Sequence, residues 1–245
     1  MAQNFYRLLI ALIATLFCVA INISASLANE AAERRIIGFS ADGRYFAFEQ
    51  FGIQDGSGFP YADIFITDLK EDRWVQGTPL HVRHDKEASS PQAVRDEVRK
   101  MAQPMLDKFK ISEPGRLIAS RQIGELGEPA KSMVFKPNFY TPPEGIVTLK
   151  LEVFDLPPVA SCEAFAKMAK GFTLTLLPAK GKPREIYRDN VVPTSRICPI
   201  DYGISDIIAH DISAKQTVFV ALISLFQRGF EGPDRRFLAV PMPIN

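Results

Sequence analysis

The sequence predicts a mainly β fold of antiparallel sheets of short strands, with blade-like or sandwich packing, plus one amphipathic helix and one short helix. Three observations predict it. Short apolar runs rich in Val, Ile, Phe and Tyr recur along the chain, the composition of a pleated, half-buried surface. Eighteen prolines fall mostly between those runs, where a residue without an N–H interrupts no ladder. One long interval, Glu87 to Phe109, replaces alternation with helical spacing.

The elements follow in order. Ile36 to Phe39 and Tyr45 to Phe51 flank Ala41-Asp42-Gly43, and Asp-Gly supplies the positive φ of a hairpin turn. A glycine-rich loop, Gly52 to Gly58, leads to a third strand, Asp63 to Leu69, and Lys70 to Asp72 turn the chain into a fourth near Trp74. In the helical interval Val94, Val98, Met101 and Met105 form the apolar stripe, with Ser90 before Pro91 as the start signal. Pro104 is expected to bend or end this helix. Its polar face, Arg95, Asp96, Glu97, Arg99 and Lys100, reads as solvated i,i+4 pairing. Strands resume at Leu117 to Ile123, Ser132 to Lys136 and Ile146 to Phe154. A short helix over Ser161 to Lys170, ended by Gly171, would place Cys162 in its first turn. Phe172 to Leu177 and Glu185 to Tyr187 form a hairpin about Lys180-Gly181-Lys182-Pro183; Ile204 to Ala209, Val218 to Phe226 and Phe237 to Val240 close the fold.

Phe39-Ser40-Ala41-Asp42-Gly43, followed by Asp63-Ile64-Phe65-Ile66-Thr67-Asp68-Leu69, resembles the blade repeat of TolB-type and prolyl-oligopeptidase-type propellers. Over its length, including the closing GFEGPDRRFLAV, the chain also resembles a family of predicted secreted bacterial proteins known only as a domain of unknown function. That second resemblance implies export and no chemistry. A faint internal repeat aligns Ser40 to Phe46 with Ser213 to Phe219, and Gly58-Phe59 with Gly229-Phe230. It predicts superposable terminal units with Phe46 and Phe219 at equivalent inward positions.

Residues 1–28 read as a signal peptide. Arg7 is their only charge, an apolar run follows from Leu8 to Ile23, and Ser26 and Ala28 fit a cleavage site before Asn29. The uninterrupted apolar core of about 14 residues is shorter than the roughly 20 of a spanning helix, so no membrane span is expected after cleavage. Residues 29–245 are then one β-rich domain, secreted or periplasmic. Of the 29 basic and 28 acidic residues only Arg7 is lost, which leaves a formally neutral domain. With no basic run, nucleic acid is not an expected partner. Cys162 and Cys198 remain as an even pair in an oxidising compartment, and a disulfide between them is expected. Closing the loop would add roughly 4 kcal/mol on the chain-entropy model. A redox-active or nucleophilic thiol is the alternative, but neither a CxxC spacing nor an adjacent base supports it.

No catalytic, metal or cofactor constellation stands out. His81-x-x-His84-Asp85 has metal-like spacing but lacks further His or Cys ligands and reads as a solvated loop. Ser205, Asp206 and His210 share a strand, yet an odd separation turns Ser205 and His210 to opposite faces. The loop Gly52 to Gly58 lacks the ending of a P-loop and the spaced acids of an EF-hand. The GFEGPDRR segment presents Glu231, Asp234, Arg235 and Arg236 as candidate binding residues for an anionic or carboxylated group. The leading expectation is an exported, non-catalytic binding domain for an unidentified envelope or extracellular partner. A periplasmic hydrolase assembled only in three dimensions, and a structural or assembly accessory, are the alternatives.

Overall fold

The computed structural model describes residues 30–85, 89–121, 129–137, 145–162, 167–230 and 232–243. The expected signal peptide and cleavage site, and Glu231, lie outside them.

Among the described residues, three antiparallel sheets and one helix stack in four layers. The first sheet contains β1 (Glu33–Ser40), β2 (Tyr45–Ile53), β3 (Pro60–Asp68), β4 (Arg73–Trp74), β5 (Leu80–Arg83) and β6 (Ile111–Glu113), in the order β4-β3-β2-β1-β6. Strand β5 pairs with the first half of β3, Tyr61 to Ile64, and β4 with Thr67 and Asp68 near its end. The second sheet runs β11 (Arg184–Arg188), β10 (Ala169–Pro178), β9 (Val147–Leu156), β8 (Ser132–Phe135). The third runs β14 (Pro233–Met242), β13 (Gln216–Arg228), β12 (Pro199–Ser213), β7 (Arg116–Ser120).

Helix α1 (Pro91–Lys108) starts where the sequence places it: the Ser90 hydroxyl accepts from the Ala93 N–H at 3.2 Å, and Pro91 follows. Pro104 does not end it. The proline lies on the exposed face, where the carbonyl it leaves unpaired meets water. The buried stripe is Val94, Val98, Ala102 and Leu106, an i+4 row, whereas Met101 is exposed and Met105 only partly covered. This row packs on Ala47, Ala62, Ile64 and Ile66 of the first sheet. The helix face read as solvated is also partly inward. Arg95 donates to Glu49 Oε1 at 2.9 Å and Arg99 to Oε2 at 2.5 Å, and the Glu49 side chain is fully buried.

The other face of the first sheet, with Phe46, Phe48, Tyr61 and Phe65, meets Ile208, Val220, Leu222 and Phe237 of the third. The opposite face of the third, with Ile207, Phe219, Ile223 and Val240, packs on Leu149, Leu151, Phe172 and Leu174 of the second. Alternate residues of β13 thus feed two cores, which is why the strand reads as a continuous apolar run. Each fully buried aliphatic or Phe side chain contributes about 1.5–3 kcal/mol, so these layers dominate the stability.

Both termini form three-stranded meanders, with hairpins at the aligned positions. They are separate sheets stacked face to face, however. Phe46 points into their shared interface and Phe219 away from it toward the second sheet, so the expected equivalence of the two phenylalanines fails. The first turn is built as predicted. Asp42 Oδ1 accepts from the Arg44 N–H at 3.1 Å, and Gly43 has φ +67° where a Cβ would lie 2.7 Å from Ile212 Cδ1. The expected short helix is, in the described residues, a 3₁₀ turn at Ala160–Cys162, and Gly171 lies inside β10. The Cys162 and Cys198 sulfurs are 2.09 Å apart, a disulfide.

Candidate functional site

A cleft of about 360 Å³ opens along the edge strand β14, within the size range of ligand sites. Phe65 and Thr67 of β3, with Asp72, Arg73 and Trp74, form one wall. Phe237 to Val240 form the floor, and Tyr187 with Pro193, Ser195, Arg196 and Ile197 form the other wall. The layering produces this opening: the third sheet ends at β14, while the first and second sheets stand on either side of it.

Arg196 anchors the second wall. The 3₁₀ turn Thr194–Arg196 follows Pro193 and aims the guanidinium inward. It donates to Asp189 Oδ2 at 2.6 Å and to the Tyr187 hydroxyl at 2.6 Å, and its Cζ lies 5.1 Å from the Phe172 ring centroid and 5.6 Å from that of Tyr202. Tyr187 in turn donates to Asp189 Oδ1 at 2.6 Å. Burial alone would lower the guanidinium pKa, but Tyr202, Tyr187 and Asp189 outweigh it and hold the group above its ordinary range. Burial raises both phenols, Tyr202 to about 12. The cluster is therefore a permanently charged arginine held by one carboxylate and neutral aromatics.

Ile197, next along the chain, has φ +53° and a side chain 54% exposed at the cleft. A β-branched residue in this region costs about 1–3 kcal/mol. It is fixed from both sides, by the Arg196 ion pair and by the disulfide at Cys198, and Gln227 Nε2 donates to the Arg196 carbonyl at 2.8 Å. On the facing wall Asp72 also has positive φ, +47°. Asp72 is exposed over much of its surface, yet desolvation at the cleft mouth raises its carboxyl above the usual range. Thr67 is 3% exposed, and its Oγ1 meets no hydrogen-bond partner among the described residues. Trp74, the only tryptophan of the chain, is half-exposed beside Phe65, ring centroids 5.5 Å apart.

The segment read as a charged loop is mostly strand. Asp234, Arg235 and Arg236 belong to β14 and are partly buried, a departure from the solvent-facing loop expected of them. Arg236 pairs with Glu30, whose side chain is 2% exposed, lies 4.8 Å from the Tyr61 ring centroid, and also lines the cleft. Burial, followed by the Glu30 charge, raises the Asp234 carboxyl. Desolvation, with Arg34 nearby, lowers the Arg235 guanidinium. The strand period gave no warning, because charged side chains are common on edge strands.

The histidines separate. His84 Nε2 meets Glu97 Oε2 at 2.8 Å, and His210 Nε2 meets the Ala41 carbonyl at 3.2 Å. His81 lies on β5 rather than in a loop and pairs with Asp63, whose Oδ2 accepts from Gln50 Nε2 at 2.9 Å. Gln50 Oε1 accepts the Phe237 N–H of β14 at 2.9 Å, so this chain of bonds ties the first sheet to the third. Ser205 Oγ is 3.4 Å from Asp206 Oδ2, and Asp206 is committed to Arg34. Among the described residues no group of three or more His, Cys, Asp or Glu could hold a metal.

The His81 pair predicts a pH dependence. The hydrogen bond that the His81 Nδ1–H donates to the Asp63 carboxylate raises the His81 pKa above its unfolded value of about 6.5. Its stabilising contribution is then complete below about pH 6.5 and lost as pH rises through the folded pKa. Urea denaturation of the wild type and His81→Asn is expected to show a stability gap at about pH 5.5 that narrows by about pH 8.5. A gap independent of pH would count against the pair.

No helix among the described residues is long and apolar enough to cross a membrane. No curated protein matches the chain. The blade-type resemblance of residues 39–69 gains no support from these comparisons. A family model does match residues 47–242, a span running from within β2 to the end of β14 and including every wall of the cleft, and the chain therefore belongs to the family described as Predicted secreted protein (DUF2259).

Proposed function

We propose that this secreted protein is a non-catalytic binding module and that its ligand or partner enters the β14 cleft, with Arg236 at the inner end. The observation that carries this reading is the Thr67 hydroxyl, buried at the cleft without a partner among the described residues. Leaving such a group unsatisfied costs about 1–3 kcal/mol, and a bound group would recover that cost. The left-handed backbone of Asp72 and Ile197 on facing walls supports the same location, since backbone strain concentrates at ligand clamps.

Trp74, the only tryptophan of the chain, lines the cleft and also borders a second pocket with Arg44 and Gln76, so the Thr67 variant assigns an emission shift to the cleft. Fractions of the native envelope extract are titrated into the mature protein. One fraction is expected to shift the emission, and the near-isosteric Thr67→Val is expected to weaken that response about three- to tenfold. An emission shift of equal midpoint in Thr67→Val, or no shift with any fraction, would reject the cleft as the binding site.

A further inference from the structure

We infer that the occupant of the cleft is an extended peptide segment of another protein, carrying an acidic side chain, which adds as a strand to the open edge of β14. The inference rests on the cleft reading above and specifies what the cleft takes.

The hydrogen-bonding pattern of β14 is the starting observation. Pairing with β13 runs without a register shift from Phe219↔Met242 to Arg228↔Pro233, and in such a ladder alternate residues turn their N–H and C=O groups to opposite sides. The outward set is identified by its partners. The Arg235 N–H donates to the Glu30 carbonyl, the Arg235 carbonyl accepts from the Ala32 N–H, and the Phe237 N–H donates to Gln50 Oε1. The same alternation turns the Phe237 carbonyl and both polar groups of Ala239 outward. These three meet no partner among the described residues, and Phe237 and Ala239 line the cleft. Pro241 follows at the next outward position, where its missing N–H closes the edge to further pairing.

The edge is thus satisfied before the cleft, closed after it, and open within it as acceptor, donor, acceptor. A peptide backbone is the chemical group that answers this sequence at strand spacing, the arrangement used when a strand is added to a sheet edge. Side chains of the incoming strand would alternate between the Thr67 hydroxyl and Trp74 on one wall and Ile197 on the other. The acidic requirement comes from charge. Arg196 is answered by Asp189 and Arg236 by Glu30, whereas Arg73 at the rim forms no ion pair among the described residues. Desolvation of the neighbouring Asp72 disfavours its charged form.

The probe is a displayed library of short linear peptides panned on the mature disulfide-bonded protein, with bound peptides then synthesised. Enriched peptides are expected to be rich in Asp or Glu, to shift Trp74 emission, and to slow hydrogen exchange of the Ala239 amide at least tenfold. Ala239→Pro removes the outward N–H and leaves the ladder to β13 intact, as Pro241 already does, and is expected to weaken binding at least tenfold. Arg73→Gln is expected to weaken it about three- to tenfold. Peptides that shift Trp74 emission but bind Ala239→Pro equally, with no protection of the Ala239 amide, would overturn strand addition while leaving the cleft as a binding site. A library that yields no peptide overturns strand addition as well, and the extract titration then judges the cleft independently. Peptides without acidic enrichment would overturn the role given to Arg73.

Discussion

Arg196→Met is expected to destabilise the protein by about 3–5 kcal/mol, the usual cost of removing one member of a buried ion pair. For a domain of this size that is a fall in Tm of roughly 6–20 °C. The variant leaves the Asp189 carboxylate, with a side chain 2% exposed, supported among the described residues only by the Phe172 N–H at 3.0 Å and the Tyr187 hydroxyl. It also removes the cation from among the Phe172, Tyr187 and Tyr202 rings. Lysine would not substitute: its ammonium keeps the charge but lacks the planar fork that meets Asp189 and Tyr187 together. Thermal denaturation of Arg196→Met, Arg196→Lys, Asp189→Leu and the double variant Arg196→Met/Asp189→Leu decides the matter. The double variant is expected to lose less than the sum of the singles, since it leaves no unanswered charge. A loss under about 1 kcal/mol in Arg196→Met would show that the cluster does not hold the fold. Because Ile197, with its positive φ, follows this anchor directly at the cleft wall, the same variant is expected to weaken Trp74-reported binding.

Some of this architecture was legible in the sequence because the responsible physics is local. Asp42-Gly43 specifies a hairpin, Ser90-Pro91 a helix start, and two cysteines in an exported chain a disulfide, each observed. Strands β5 and β6 were missed because they are short and carry polar residues such as His81, Arg83 and Ser112. Stacking order was not legible either. Sheets covered on both faces show apolar residues at both parities, so nothing in β13 tells which residues face which neighbour. That is also why the Phe46 and Phe219 alignment misled. The helix stripe was displaced by about one side chain because Ala102 is buried while the larger Met101 is not.

The cleft was the least legible feature. Thr67, Trp74, Arg196 and Ala239 are brought together only by the order of three sheets, and neither the blade-type run that holds Thr67 nor the GFEGPDRRFLAV segment that holds Ala239 points to a shared cleft. The signals that existed were indirect. Arg196 stands two residues before Cys198, and an arginine next to a structural cystine is a candidate for burial; Trp74 is unique in the chain. Charge drew attention to GFEGPDRR instead, and one of its residues, Arg236, does line the cleft, from a strand rather than a loop.

The second large effect is expected at the seam between the first and third sheets. Arg34 of β1 pairs with Asp206 of β12 through two bonds, the Nη2 to Oδ1 contact being 2.6 Å, with side chains 9% and 4% exposed. Ser120 of β7 donates to Asp206 Oδ1 at 2.6 Å, and Arg34 Nη2 also donates to the Arg121 carbonyl at 2.9 Å. Three strands from two sheets therefore meet at one carboxylate. Asp206→Asn keeps the volume but strands the guanidinium, and a loss of about 3–5 kcal/mol is expected, little altered by added salt because the pair is shielded from solvent. Arg116 and Asp211 supply the internal control. They join β7 to β12 within the third sheet, at 3.0 Å, but their side chains are 43% and 49% exposed. Arg116→Gln is expected to cost under about 1 kcal/mol, less still in high salt. Urea denaturation of both variants at low and high salt separates the two cases. Equal losses would mean that burial does not set the strength of these pairs, and that the seam relies on the Phe46, Phe48, Val220 and Leu222 core and the Gln50 bond to Phe237 rather than on Asp206.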